Sequence, residues 1–277
     1  MNITDIKGTV TLHNGVEMPY FGLGVYQSRE GKEVTDAVQW ALEAGYRHID
    51  TAAFYQNEEG VGKAVRQSAV DRDEVFVVTK VWNQDQGYQR TLKAFDTSLM
   101  KLGLDYLDMY LVHWPVRGLY RDTWRALEEL YLSGRVRAIG VSNFLQHHLE
   151  DLMAVCQVRP MVNQMEFHPR LVQQSLIDYC HTHQVRYEAW SPMMQGRVFG
   201  LDALQGLAAR YGKDAGQVVL RWNLQKGVVT IPKSARKERI ISNSQVFDFA
   251  LTDEEMAYID SLDAHERLGP DPDTFDF

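Results

Sequence analysis

A chain of 277 residues with 45% apolar and 24% charged residues has the makeup of a globular protein with a large buried core. Its formal charge of −8, with no basic stripe interleaved with aromatics, excludes nucleic acid as a partner. No run of 18 apolar residues occurs, and the opening MNITDIKGTV has no apolar stretch behind a basic flank, so neither a membrane span nor a secretion signal is expected.

In chain order, TVTLHNGVEMPYF comes first. Its Asn14-Gly15 between apolar pairs predicts a tight hairpin that plugs one end of a larger fold. After it the chain repeats one theme: a helical pattern, a glycine, then a short apolar strand. Val34, Ala37, Val38, Ala41 and Leu42 share a helical face, Gly45 follows where a helix end needs a positive φ, and the strand YRHID comes next. The theme returns as TLKAFDTSLMKLG before YLDMYLVH, as TWRALEELYLSG before RVRAIGVS, and as QVVLRWNLQKG before VVTIPKS. FGLGV, VFVVTK, MVNQMEF and VRYEAW complete eight predicted strands. Near-continuous apolar runs such as VFVV suit parallel strands covered on both sides, and eight such units with right-handed crossovers close into a (β/α)8 TIM barrel. One barrel domain over 1–277 is expected, with the C-terminal ERLGPDPDTFDF folding over the mouth. A doubly wound sheet is the rival, but Gly22-Leu23-Gly24 is followed by Gln27 where the dinucleotide fingerprint needs a third glycine.

In such barrels chemistry sits at the carboxyl ends of the strands. Here those ends are polar throughout: Asp50, Lys80, His113, Ser142-Asn143, Gln164, Trp190-Ser191 and Lys233-Ser234. Lys80 at the mouth of an apolar barrel needs a carboxylate, and Asp50 is available, since Asn57 is better placed to cap the helix opening at Glu58 and Glu59. Tyr55, in the loop after Asp50, has an ordinary pKa of about 10, too high for an efficient acid near neutrality. A lysine about 4 Å away offers roughly 4 kcal/mol, enough to lower that value by up to about three units before burial opposes it. His113, ending the most apolar strand, is then a donor to a substrate oxygen. His147-His148 and His181-x-His183 lack acidic or cysteine companions at ligand spacing and are read as surface residues, with no metal expected. Cys156 and Cys180, in helix-like patterns without CxxC spacing, fit free thiols in a reducing, cytoplasmic setting.

The last motif, IPKSARKERIISN, crowds Lys233, Arg236, Lys237 and Arg239 at a predicted helix start, where positive charge is disfavoured unless an anion binds. With it, the segments GYRHIDTA and Tyr55, VVTKVWN, YLVHWP, GVSNF, NQMEFHP and EAWSP occur in the order and spacing of one family. Over essentially its full length the chain resembles the aldo-keto reductases, with a likeness to bacterial glyoxal/methylglyoxal reductases and 2,5-diketo-D-gluconate reductases and to protist prostaglandin F synthases.

The resemblance implies NADPH as cofactor and a small-molecule carbonyl substrate. It makes Tyr55 the general acid, tuned by Lys80 and Asp50, with His113 orienting the carbonyl. By the same resemblance Ser142, Asn143 and Gln164 hold the nicotinamide amide, Trp190 and Ser191 flank its ring, Lys233, Ser234 and Arg239 take the 2′-phosphate, and Asn243 meets the adenine. Tyr26, Trp82 and Trp114 are expected to wall the substrate pocket of a monomer. Two departures stand out: Ser242 precedes Asn243 where the family commonly has glutamate, and Met193-Met194 stand where many members read SPLG's last residues. Two rivals remain open: a non-catalytic NADPH-sensing regulatory subunit, and a barrel glycosidase pairing Asp50 with Glu166.

Overall fold

The computed structural model describes residues 1–277. A hairpin, β1 (Thr9–Thr11) and β2 (Glu17–Pro19), precedes eight parallel strands. These are β3 (Leu23–Gly24), β4 (His48–Asp50), β5 (Phe76–Val81), β6 (Leu107–Val112), β7 (Val136–Ser142), β8 (Val162–Glu166), β9 (Arg186–Trp190) and β10 (Val229–Thr230). Ten helices wrap them: α1 (Lys32–Glu43), α2 (Glu58–Gln67), α3 (Tyr88–Leu102), α4 (Tyr120–Leu132), α5 (Gln146–Met153), α6 (Gln174–Thr182), α7 (Asp202–Tyr211), α8 (Ala215–Gln225), α9 (Lys237–Asn243) and α10 (Asp253–Asp260). No helix is long and apolar enough to cross a membrane.

Each strand pairs with its sequence neighbour, and the ends meet through parallel bridges Phe21 to Thr230 and Gly24 to Lys233, so the sheet closes as a (β/α)8 barrel. The closing seam requires glycine at position 24, because a Cβ there would sit 2.9 Å from the Ile231 carbonyl oxygen. β10 stops short of the predicted VVTIPKS because Pro232 has no N–H for the ladder. β5 and β6 are buried at every position, as expected of strands covered on both faces. Gly45 after α1 has φ 97°, the left-handed conformation predicted for it.

The hairpin turn is longer than a two-residue loop. Leu12 N–H bonds Val16 O at 2.9 Å and Gly15 carries φ 86°, which makes it a three-residue turn closed by the glycine. Asn14 donates to Arg137 O at 3.0 Å and Arg186 to Thr11 O at 3.1 Å, both at strand starts, so the hairpin plugs the amino end. The opposite end is left to the loops.

Candidate active site

At the carboxyl end of β4, Asp50 is buried and points inward; at that of β5, Lys80 is wholly buried. Lys80 Nζ donates to Asp50 Oδ1 at 2.6 Å and to Thr51 O at 2.9 Å. The predicted pair therefore forms. Asn57 stands at the α2 N-cap but does not cap it: Nδ2 donates to Val25 O and Ser28 O at 3.0 Å each, while Oδ1 accepts from Thr51 Oγ1 at 2.7 Å. Its amide ties the β3 and β4 loops together, and the acids Glu58 and Glu59 are left to meet the helix dipole.

Tyr55 closes a single 3-10 turn, Ala53–Tyr55, and lies half-buried with its hydroxyl in no hydrogen bond. Lys80 Nζ stands 5.2 Å from its ring centroid, Tyr26 5.0 Å on one side and His113 5.7 Å on the other, ring to ring. The expected lowering of the phenol's pKa is overturned. Burial, then Asp50, Tyr26 and Glu188, hold the phenol well above its ordinary value. The physical reason is burial first, which disfavours the charged phenolate, and then the Asp50 carboxylate, which sits 2.6 Å from the ammonium and adds a like charge nearby. His113 is buried, with burial first and Lys80 second holding it well below the usual histidine range, so its imidazole is neutral.

Around these groups the aromatics converge. Trp82 meets His113 at 5.2 Å, Phe54 stacks on Trp82 at 3.9 Å, and the chain's last segment adds Phe277 against Trp82 at 5.8 Å and Trp114 at 5.4 Å. Asn83 Nδ2 donates to Phe277 O at 3.0 Å, and Phe275 lies 5.0 Å from Trp114. The tail is anchored further back by Glu166, which accepts from Leu268 N at 2.7 Å, Gly269 N at 3.2 Å and His168 Nε2 at 3.0 Å. That anchoring removes the glycosidase pairing, since Glu166 is held by the tail and Asp50 by Lys80. Phe54, Phe275 and Phe277 went unread in the sequence. ERLGPDPDTFDF signalled a loop over the mouth, but its register against Trp82 and Trp114 had no sequence mark.

His147 and His148 also gain an acid that lies far off in sequence. Asp273 Oδ1 is 2.9 Å from His147 Nε2 and 3.5 Å from His148 Nε2. His148 Nδ1 accepts from Leu145 N at 3.2 Å, which places the ring proton on Nε2, facing Asp273. The trio is a staple holding the tail to α5.

A second arc runs along the rim from β7 to β9. Ser142 Oγ donates to Gln164 O at 2.9 Å, Asn143 Nδ2 to His113 O at 3.0 Å, and Trp190 Nε1 to Asn143 Oδ1 at 2.9 Å. Asn143 and Ser191 hold φ of 65° and 53°, which turns the chain sharply at both strand ends. Gln164 Nε2 donates to Asp50 Oδ2 and to Glu188 Oε2, each at 2.9 Å, leaving Oε1 to accept. After β9 the backbone is tightly wound, with Met194 at φ 52° and Gln195 at 54°, and Met193 packs over Gly216. Lys233 and Ser234 lie in the loop after β10, and Arg239 and Asn243 lie on α9. Lys237 reaches Glu43 at 3.7 Å, whereas Lys233, Arg236 and Arg239 have no ion pair.

Sequence reasoning missed Glu188 and His48. Both are wholly buried inside the barrel, and the one available signal was a glutamate in the middle of the predicted strand VRYEAW.

A parallel eight-stranded barrel that gathers a protonated tyrosine, a neutral histidine and a lysine–aspartate pair at its carboxyl rim has the groups that acid–base chemistry needs. The model of the Aldo/keto reductase family matches residues 20–264, and the chain belongs to that family. Among its relatives is the glyoxal reductase of Bacillus subtilis (strain 168), 56% identical over 270 residues that cover 98% of either chain. Another is the methylglyoxal reductase DkgA of Escherichia coli (strain K12), 47% identical over 270 residues, covering 96% of this chain and 97% of that one. The crystal structure of a Gox0644 mutant in complex with NADPH superposes with a TM-score of 0.93 at 42% identity, covering 97% of this chain and 98% of that chain.

Proposed function

We propose that this protein reduces small aldehydes, α-dicarbonyls such as glyoxal and methylglyoxal, and keto-sugars to alcohols with NADPH. The observation that carries this is Tyr55, its hydroxyl free of partners and its ring set beside a neutral His113 and the Lys80–Asp50 pair. The residues present suit the cofactor. Gln164 Oε1, Ser142 and Asn143 offer an arc for a carboxamide, Trp190 a ring face, and Lys233, Ser234 and Arg239 an unpaired cationic corner for the 2′-phosphate. Asn243 on α9 meets the adenine without the glutamate common at position 242. Bound there, the dihydronicotinamide supplies a hydride.

His113, being neutral, donates an imidazole N–H to the substrate oxygen and places the carbonyl beside Tyr55. As the carbonyl carbon gains the hydride, its π electrons move onto oxygen, and Tyr55 delivers its proton there. A forming alkoxide is a far stronger base than a phenolate, so a phenol whose pKa is raised still gives up its proton. Lys80, its ammonium 5.2 Å from the ring centroid, then faces the phenolate; because Asp50 is paired with it, the net attraction is smaller than the roughly 3 kcal/mol of an unpaired charge at about 5 Å and an effective dielectric near 20. Tyr26, Trp82 and Trp114, joined by Phe54 and Phe277, make a narrow apolar wall that suits short substrates.

The test is NADPH oxidation against aldehydes, ketoaldehydes, keto-sugars and quinones. Fastest turnover is expected with methylglyoxal and glyoxal, and tight NADPH binding without turnover would move the protein to a sensing role. Replacing Arg239 with alanine is expected to raise KM for NADPH about tenfold or more, the loss of one charge-assisted contact, while KM for NADH changes little. Equal losses for both cofactors would reject the 2′-phosphate site.

A further inference from the structure

Beneath Tyr55 lies a buried pair that the proposed reaction leaves unused, Glu188 on β9 and His48 on β4. His48 Nδ1 is 3.2 Å from Pro19 O, a carbonyl that can only accept, so Nδ1 carries a proton and Nε2 presents a lone pair. Glu188 Oε1 stands 3.5 Å from that Nε2, and neither atom has a hydrogen-bond partner. Two lone pairs facing each other in a dry interior repel, so a proton belongs between them.

The groups that face Glu188 are His48 and Asp50 from β4, Lys80 from β5, Gln164 from β8 and Tyr55 from the rim loop. The only cation among them, Lys80, is already matched by Asp50. Burial, then Asp50, push the Glu188 carboxyl up to about 8. Burial pushes His48 down to about 4, which puts the shared proton on the carboxyl. On its other oxygen Glu188 takes one amide hydrogen of Gln164 while Asp50 takes the second. Both donors of Gln164 are thereby fixed.

We propose that Glu188 is a positioning residue: holding a proton against His48, it fixes Gln164 so that Oε1 receives the amide hydrogens of the nicotinamide carboxamide. This rests on the NADPH reading above. It also keeps the barrel floor neutral around a single ion pair.

The experiment measures fluorescence quenching by NADPH, and by its analogue with an acetyl group in place of the carboxamide, in wild type, Glu188→Ala and Glu188→Gln. Glu188→Ala should weaken NADPH about tenfold, the cost of one orphaned buried amide donor, and weaken the acetyl analogue about twofold at most. Glu188→Gln should bring NADPH back to within about threefold of wild type, because its amide both accepts from Gln164 and donates to His48. Glutamine no better than alanine, or equal weakening of the analogue, overturns the proposal while leaving the cofactor assignment standing. No quenching of the wild type by NADPH overturns both.

Thermal unfolding supplies an arm that does not need the alanine variant. A carboxyl whose pKa is raised in the fold contributes stability that is lost as pH rises through the folded value of about 8. The lowered His48 acts in the opposite sense, but only below the ordinary histidine value near 6.5. Between pH 6.5 and 9 the wild-type Tm should therefore fall a few degrees further than that of Glu188→Gln. Parallel curves would place the carboxyl's titration elsewhere and sink the shared proton.

Discussion

Tyr55→Phe should bind NADPH as the wild type does and lose roughly 1,000-fold in kcat with methylglyoxal, within the range of about 10²–10⁴ that a positioned general acid contributes. The substitution deletes one oxygen and leaves the ring in its place against Tyr26, His113 and the Lys80 ammonium. Folding and cofactor affinity should hardly move, and only proton delivery to the substrate oxygen disappears. The raised pKa of the phenol adds a second reading to the same experiment. Because the hydroxyl stays protonated across the neutral range, wild-type reduction should show no loss of rate from Tyr55 ionising between pH 6 and 9. Turnover by the phenylalanine variant within about threefold of wild type would take the proton-donor role away from Tyr55.

Lys80→Met should be costly in two separate ways. The ammonium is wholly buried and gives hydrogen bonds to Asp50 and Thr51 O, so a thioether there leaves a carboxylate in the barrel with Gln164 as its one remaining donor. Breaking one side of a buried ion pair costs about 3–5 kcal/mol, which for a chain of this size lowers Tm by roughly 10 °C. Turnover should fall by about tenfold or more as well, because the phenolate formed by Tyr55 loses the part of the ammonium's attraction that the pairing with Asp50 leaves to it. Adding Asp50→Asn to Lys80→Met separates the effects. It removes the stranded charge, so most of the lost Tm should return while turnover stays low. A single variant as stable as wild type would mean that the two charges do not depend on each other.

The barrel was legible because burial on both faces writes itself into a strand as an unbroken apolar run, and each run ends in a polar residue where the chain meets the mouth. VFVVT before Lys80 and YLDMYLV before His113 carry that mark, and the Asp50–Lys80 pair followed from the cost of leaving a lysine there alone. What Lys80 does to Tyr55 was not legible in the same way. Sequence places the two at one rim but cannot say how deeply the phenol is buried or that Asp50 lies 2.6 Å from the ammonium, and burial first and Asp50 second turn the shift upward.

Other features depend on residues far apart in the chain. Asp273 meets His147 and His148, Phe277 meets Trp82 and Trp114, and Asn57 holds loops instead of capping its helix. Sequence alone determined the eight-strand order, the rim that bears the chemistry and the residue types standing on it, because these follow from local periodicity and the cost of burying polar groups. Only the tertiary structure decided which inward side chains face each other, which charge is already paired and which aromatic rings close the mouth. Those depend on separations of a few ångströms across the barrel, where Coulomb energy and hydrogen bonding change steeply with distance and no sequence interval records it.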